Sequence, residues 1–380
     1  MDLTILKSEL SKALFVTESI VEKRTTMPIL SNVLLSAADG KLKISATDLE
    51  VTALATATAK VKSPGSTTVN AKVFSDIVRE LPDAEVTLKL GEGERLEIIS
   101  KGSRLKMIGV SAEEFPSLPG VSFEARSKIS SKQLSEMVNK TVYAVSYDET
   151  RFNLNGVCFE LVGESKGKGK KGERSLRFVA TDGHRLAMIT RPVADLDFEE
   201  RVIVPRKGLS EIRKLITSDD DVQVGLDIRD GFLLLETAAA KVSMRLIDGE
   251  FPDYNQVLPK QPGVVVSLNI SDFSQALRRV ALMVTDKGKC VRLDFSQNSL
   301  RISSSSPELG EAVEELEVKY SGKPLSVGFN AKYILDITAS LGEAQKINLE
   351  LNGELGPGKF FADGDESYIG IVMPMRLTAA

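Results

Sequence analysis

Leu42-Lys-Ile-Ser-Ala-Thr-Asp48 returns as Leu176-Arg-Phe-Val-Ala-Thr-Asp182 and, more loosely, as Leu300-Arg-Ile-Ser-Ser-Ser-Ser306. These starts are 134 and 124 residues apart. A second anchor keeps step: Ala71-Lys-Val-Phe-Ser-Asp-Ile-Val-Arg-Glu-Leu81 recurs as Arg206-Lys-Gly-Leu-Ser-Glu-Ile-Arg-Lys-Leu-Ile216 and as Ala331-Lys-Tyr-Ile-Leu-Asp-Ile-Thr-Ala-Ser-Leu341. A third, an apolar helical start, lies at Leu6–Leu14, Ile129–Val138 and Ile270–Leu277. Three anchors in one order define a tandem triplication. A period of about 130 residues is far longer than the roughly 20–50 of a solenoid, so each copy is expected to be a domain with its own core.

Within a copy, Val33–Ser36 and Leu42–Ala46 alternate with period two, whereas Val73–Leu81 has apolar spacings of three and four. The pattern reads as helix, strands, second helix, three strands, which gives an α+β fold. Pro and Gly punctuate the chain near Gly120–Lys128 and Lys260–Val265, so the domains are expected at 1–120, 128–259 and 264–377. Phe115-Pro-Ser-Leu-Pro-Gly120 and Phe251-Pro-Asp-Tyr254 sit at matching ends of copies one and two and read as exits into linkers.

The 380 residues are 42% apolar and 27% charged, the composition of an ordinary globular protein. There is no apolar run of membrane-spanning length and no basic, apolar leader, and two cysteines, Cys158 and Cys290, lack any metal-type spacing. A reduced, cytoplasmic setting with no cofactor, no metal and no membrane partner is expected. Gly167-Lys-Gly-Lys-Lys-Gly172 matches GxGxxG, but the strand-like Ser175–Ala180 follows it instead of a helix, and Glu173 occupies the place a P-loop gives to lysine. Asp219-Asp-Asp221 reads as a solvated turn. With one histidine, His184, and no acid/base pair, nucleophile or cofactor loop, an enzyme is disfavoured.

Charge is distributed unevenly. Bases exceed acids by one in Ile5–Arg24, two in Lys128–Lys140, three in Arg206–Lys214 and two in Ser271–Lys289, while Lys72–Glu80 and Ala331–Leu341 balance. The helical windows therefore carry +8 against a whole-chain charge of −4, which leaves −12 elsewhere. A basic helical face would attract phosphate without reading bases. Solvated helices that happen to be basic would show the same sum.

The triplication, Ala180-Thr-Asp-Gly-His-Arg-Leu-Ala187, Phe251-Pro-Asp-Tyr254 and Val372-Met-Pro-Met-Arg-Leu377 together resemble the bacterial β sliding clamp family, the processivity subunits of replicative DNA polymerase. The likeness spans essentially the whole chain. It implies three tandem DNA-clamp domains and a head-to-tail homodimer forming a six-domain ring, with helices inside and sheets outside, that encircles double-stranded DNA. Arg24, Lys72, Arg206 and Lys207 match clamp bases on or near the inner helices, Lys332 being the third copy's counterpart of Lys72 and Lys207.

The resemblance also implies a groove that docks short peptides of the replicative polymerase, the clamp loader and repair proteins. Carried over, it uses Arg151, Leu154, Thr181, Gly183, His184, Arg185, Leu186, Pro252 and Val257, with Ile371, Val372, Met373, Pro374, Met375, Arg376 and Leu377 from the last strand. Burying one peptide Leu and one Phe there contributes roughly 3–6 kcal/mol before ordering costs, which suits exchangeable binding. Leu105 and Met107 on one edge, and Leu282 and Met283 on the other, are the candidates for the dimer seam. Gln256 replaces a base found in some clamps, the Gly/Lys loop at Gly163–Lys171 looks like an insertion, and Thr378-Ala-Ala380 extends past the usual Arg-Leu end. The alternative reading is a triplicated peptide-binding scaffold that does not encircle DNA.

Overall fold

The computed structural model describes residues 1–21, 26–118, 124–163, 174–194, 196, 198, 201–216, 221–284 and 290–377. Arg24, nearly all of the Gly/Lys loop, Asp219 and the tail 378–380 lie outside the described residues. Six α-helices occur among those described, two per copy: α1 (Lys7–Glu18), α2 (Ala71–Glu80), α3 (Ser131–Asn139), α4 (Arg206–Leu215), α5 (Ile270–Ala281) and α6 (Ala331–Ser340).

Sequence and cap agree at the second helices of copies one and three. In α2 the buried positions Ala71, Phe74, Ser75 and Val78 fall at i, i+3, i+4 and i+7, one apolar stripe. Asn70 caps it by accepting the Val73 N–H, and Asn330 accepts the Lys332 N–H to cap α6. α4 lies so close to its sheet that a Cβ on Gly208 would strike Met244 Sδ. A glycine there spares the methionine from shifting.

The opening helices are not the first elements of their copies. A strand precedes each one, Asp2–Leu6, Ser127–Ser130 and Val264–Asn269, and runs directly into it. The strands are short and their apolar residues merge with the helical pattern, which is why a helix-first reading overlooks them.

The chain forms two compact units, one of Met1–Ser135, Asp195–Glu199 and Val204–Leu246, the other of Glu136–Ala194, Glu200–Ile203 and Ile247–Ala380. In the first, a five-stranded sheet runs in the order Lys60–Ser63, Asp2–Leu6, Glu85–Leu90, Arg95–Ser100, Ser103–Ile108. A second sheet joins copies one and two: Ala240–Arg245 pairs antiparallel with Val51–Thr58, placing Ala240 opposite Ala55 and Met244 opposite Val51. In the second unit, Asp365–Val372 pairs with Arg185–Val193, Val372 opposite Arg185 and Tyr368 opposite Ile189. A separate four-stranded sheet there runs Gly310–Glu317, Ser299–Ser306, Cys290–Ser296, Leu325–Asn330. Sheets therefore continue across repeat boundaries, and both junctions use the strand that follows the Ala-Thr-Asp motif.

That motif builds a locked turn twice. Thr47 Oγ1 accepts the Leu49 N–H at 3.0 Å, and Asp48 Oδ1 accepts those of Glu50 and Val51 at 2.9 and 2.6 Å. Thr181 Oγ1 likewise accepts the Gly183 N–H at 3.1 Å, and Asp182 Oδ1 those of His184 and Arg185 at 2.9 and 3.1 Å. The residue after the aspartate is left-handed in both, Leu49 at φ 76° and Gly183 at φ 88°. Copy one thus holds a leucine where copy two has the residue suited to that backbone.

Two of the sheet-ending strands concern the seam. Ser103–Ile108 ends the five-stranded sheet and Gly310–Glu317 ends the four-stranded one. Phe251-Pro-Asp-Tyr254 does more than leave a strand: Phe251 and Tyr254 are buried in a cluster with Cys158, Val179, Leu186 and Ile371. Both cysteines are unpaired, and burial pushes the Cys158 thiol up to about 12. Among the described residues no helix is long and apolar enough to cross a membrane, and no cluster of metal-ligating side chains occurs.

Candidate peptide-binding groove

An apolar groove of about 270 Å³ opens in the second unit. The strand Arg174–Thr181, the locked turn and the strand Arg185–Val193 supply Thr181, Gly183, Arg185 and Leu186. Leu154 comes from the 3₁₀ segment Glu149–Leu154, Pro252, Asp253, Tyr254 and Val257 from the Phe-Pro-Asp-Tyr stretch, and Ile371 and Met373 from the C-terminal strand and its exit. Nine of the residues named from sequence thus meet at one cavity: Leu154, Thr181, Gly183, Arg185, Leu186, Pro252, Val257, Ile371 and Met373. Asp253 and Tyr254 line it as well and were not singled out, although the Phe-Pro-Asp-Tyr motif contained them.

The other named residues surround the groove or turn from it. Arg151 lies at the rim, its Nη1 donating weakly to the Asp182 carbonyl at 3.4 Å. His184 is exposed, and its carbonyl accepts the Met373 N–H at 2.8 Å. Val372 is buried, one residue out of phase with Ile371 on an alternating strand. Met375 leaves the groove altogether: its N–H reaches the Gly328 carbonyl at 2.8 Å, and Leu377 also packs near Gly328. Pro374 is half-buried and Arg376 exposed along the same segment. The end of the chain therefore spans from the groove strand to the edge of the four-stranded sheet.

Arg185 organises one wall. Only 7% exposed, it donates to Asp182 Oδ2 at 3.0 Å, to Asp336 Oδ2 at 2.5 Å and to the Tyr143 carbonyl at 2.5 Å, and its guanidinium lies 4.5 Å from the Tyr333 ring centroid. Burial opposes its charge, but the two aspartates outweigh that and hold it protonated. Opposite, Tyr254 donates to Glu160 Oε2 at 2.5 Å and accepts from Arg177 at 3.1 Å, while Arg201 donates to Glu160 Oε1 at 2.7 Å. Burial, then the bond to Glu160, raises the Tyr254 pKa. Both walls are fixed by charge-assisted hydrogen bonds, whereas the floor is aliphatic, so the site can hold apolar side chains without rearranging.

Of the bases named for DNA, Lys72, Arg206 and Lys207 lie in the first unit. Lys72 is 68% exposed on α2, with Asp76 one turn on at 3.9 Å. Arg206 and Lys207 open α4, but Lys207 forms an ion pair with the nearly buried Asp48 of the first locked turn. Lys332 is exposed at the start of α6. Of the seam candidates, Leu105 and Met107 lie on the edge strand Ser103–Ile108, and Leu282 and Met283 follow α5, Leu282 being largely exposed.

The fold and groove define a replication clamp built from three domains. Family models of the DNA polymerase III beta subunit match in series, the N-terminal domain at residues 1–119, the central domain at 128–253 and the C-terminal domain at 255–376. The beta sliding clamp of Caulobacter vibrioides is 38% identical over 380 residues, covering 99% of this chain and all of that one, and that of Escherichia coli K12 is 35% identical over 382 residues at the same coverage. A DnaN sliding clamp from Bartonella birtlesii, solved bound to griselimycin, superposes with a TM-score of 0.93 at 32% identity over 99% of this chain and 100% of that one. The Bacillus subtilis clamp does so at 0.92 and 28%, covering both chains completely. The chain belongs to the DNA polymerase III beta subunit family, the beta sliding clamps, non-catalytic processivity factors of DNA replication.

Proposed function

We infer that two copies of this chain close head to tail into a ring around duplex DNA, and that the groove tethers the polymerase, the clamp loader and repair proteins by short peptides. The repeat bounds 1–120, 128–259 and 264–377 are then the six lobes of the ring, taken twice. The observation that carries ring closure is the match in charge between two sheet-ending strands. Ser103–Ile108 presents Arg104 and Lys106, which share Glu97 at 3.5 and 3.6 Å, and Gly310–Glu317 presents Glu311, Glu315 and Glu317, Glu314 being held by Arg279. Unpaired edges are normally hidden, and pairing them across a seam would satisfy both while burying Leu105, Leu282, Met283 and Ile108, which is 82% exposed in the single chain; Met107 is already buried there, at 8%.

Arg24, Lys72, Arg206 and Lys207 are assigned to weak phosphate contact. Weakness serves sliding, because contacts to phosphate carry no sequence register. Lys207 contributes least, since Asp48 already offsets its charge. In the groove, Leu154, Leu186, Val257, Ile371 and Met373 receive the aliphatic and aromatic side chains of the peptide. A cytoplasmic location follows from the replicative role.

Class-averaged electron micrographs of the purified protein at micromolar concentration test ring closure. Closed rings of six similar lobes are expected. Three-lobed crescents that no loader or DNA closes would move the assignment to a peptide-binding scaffold that does not encircle DNA.

A further inference from the structure

Most sheet-ending strands are covered or blunted. Thr68 in Gly65–Asn70 exchanges two 3.0 Å hydrogen bonds with Val110, Ile247 donates to the Ile203 carbonyl at 2.9 Å in Val202–Pro205, and Met375 closes on Gly328 in Leu325–Asn330. Lys60–Ser63 and Ser127–Ser130 are four residues each and carry lysines, and Ser103–Ile108 and Gly310–Glu317 are assigned to the seam. Val264–Asn269 has none of these protections. It ends the eight-stranded sheet of the second unit, runs six residues without charge or proline, and pairs only with Lys346–Leu351 among the described residues. Such an edge is a template for another strand.

The repeats show what belongs there. In copy one the opening strand Asp2–Leu6 is flanked on both sides: Leu3 lies opposite Leu88 on one, and Lys60–Ser63 pairs antiparallel along the other, with Thr4 opposite Lys60. Val264–Asn269 is the same strand in copy three, running directly into α5 with Val266 opposite Leu349. Counting back from each helix, Val265 and Ser267 stand where Asp2 and Thr4 stand. Among the described residues no strand lies beyond them, and Val265 is 49% exposed. The Ile270 N–H donates to the Gln345 carbonyl at 3.0 Å. By alternation the ladder bonds to Lys346–Leu351 then fall on Leu268 and Val266, so Val265 and Ser267 point their N–H and carbonyl groups outward. A cleft of about 870 Å³ opens at the head of the strand, lined by Leu258, Pro262, Val264 and Leu351 among others, and it shares Val257 and Met373 with the peptide groove.

We propose, on the groove reading above, that a partner docked in the groove by its peptide also adds its flanking segment, as an antiparallel strand, to the edge of Val264–Asn269. The cleft carries the chain from groove to edge, because residues of both line it. The segment that fits is extended and uncharged. Main-chain bonds to Val265 and Ser267 hold it, and a β-branched side chain covers the exposed Val265. It takes the place that Lys60–Ser63 takes in copy one. Continuity with the groove favours the partner's own chain over a second copy of this one.

The test uses the full chain and fluorescence anisotropy with three labelled, end-blocked peptides: Leu-Ala-Leu-Phe for the groove alone, and the same four residues joined through Gly-Ser-Gly to Thr-Val-Thr-Val at either end. One extended peptide is expected to bind at least tenfold tighter than the short one, and to lose that gain when its four strand amides are N-methylated. Hydrogen exchange read by mass spectrometry should slow across residues 264–269 with that peptide and stay unchanged with the short one. Ser267→Pro removes an outward N–H and should cancel the gain while the short peptide binds as before, which also reports that the variant is folded. Ser267→Ala keeps the N–H and should keep the gain. A short peptide that binds while neither extension gains, or a gain that survives N-methylation, overturns the proposal alone. Failure of all three peptides to bind overturns the groove reading and the strand addition with it. Protection of 264–269 that needs no peptide and rises with protein concentration assigns the edge to a second copy of the chain, which also overturns it.

Discussion

Arg185 and Asp336 join the second and third repeats through a 2.5 Å hydrogen bond, with Asp182 holding the other side of the same guanidinium at 3.0 Å. One buried cation thus ties the locked turn of the groove to α6, and its two carboxylates are what make its burial tolerable.

Arg185→Met strands two aspartates that are largely buried or half-buried. Loss of about 3–5 kcal/mol of unfolding free energy is expected by urea denaturation, together with weaker peptide binding. Asp336→Asn keeps Asp182 as partner and costs less. Equal, small losses for both would mean that Arg185 does not organise the wall.

Leu49 and Gly183 hold the same left-handed position in two copies of one turn. Exchanging their types separates backbone strain from packing. Leu49→Gly is expected to be neutral or stabilising by up to about 1 kcal/mol, and Gly183→Leu destabilising by about 1–2 kcal/mol. Thermal unfolding of the two variants reads the difference, and destabilisation by Leu49→Gly would show that the leucine side chain matters more than its φ.

Lys72→Glu should weaken retention on DNA more than Lys207→Glu, although both bases occupy equivalent repeat positions, because Asp48 already pairs with Lys207. The slope of log affinity against log salt should fall by about 0.9 for each phosphate that is no longer neutralised. A larger effect at Lys207 would contradict this ranking.

Tyr368 is fully buried, and burial raises its pKa to about 12 despite the stabilising bonds from Ser340 and Tyr143. Tyr143 is raised in the same way. In the unfolded chain tyrosine ionises near 10. Above that pH the unfolded state binds fewer protons than the native one, so stability is complete below about pH 10 and is lost as pH rises toward 12. Tyr368→Phe should flatten that decline in a denaturation series, whereas an unchanged slope would place the titrating group elsewhere.

Much of the architecture was legible because it repeats. The Ala-Thr-Asp stretch and the helix anchors located three copies, and alternation in Leu42–Ala46 gave the correct strand. The opening strands were hidden because five residues such as Asp2–Leu6 blend into the helix that follows. The shared sheets were hidden for another reason: Val51–Thr58 pairs with residues almost 190 positions away, and periodicity reports a face without naming its partner. The Lys207–Asp48 pair is tertiary in the same sense, so a window sum counts Lys207 as free positive charge. The groove was legible only through resemblance, and even there alternation sends Val372 away from Ile371, while Met375 turns to Gly328.

The C-terminal segment gives the groove a direct test. Truncation after Met373 removes the Met375–Gly328 hydrogen bond that anchors the segment following the lining residue Met373, and should weaken peptide binding several-fold while leaving the dimer, as read by fluorescence anisotropy and sedimentation. Unchanged affinity would mean that this anchor does not position Met373.

Encirclement is the central claim, and it is measured most directly by loading the protein on a nicked circular plasmid with a clamp loader, then cutting the circle with a restriction enzyme at moderate salt. A ring stays on the closed circle and runs off the linear ends, so bound protein should fall to background after cutting. Equal retention on circular and linear DNA would mean that binding is by contact, and would contradict the account.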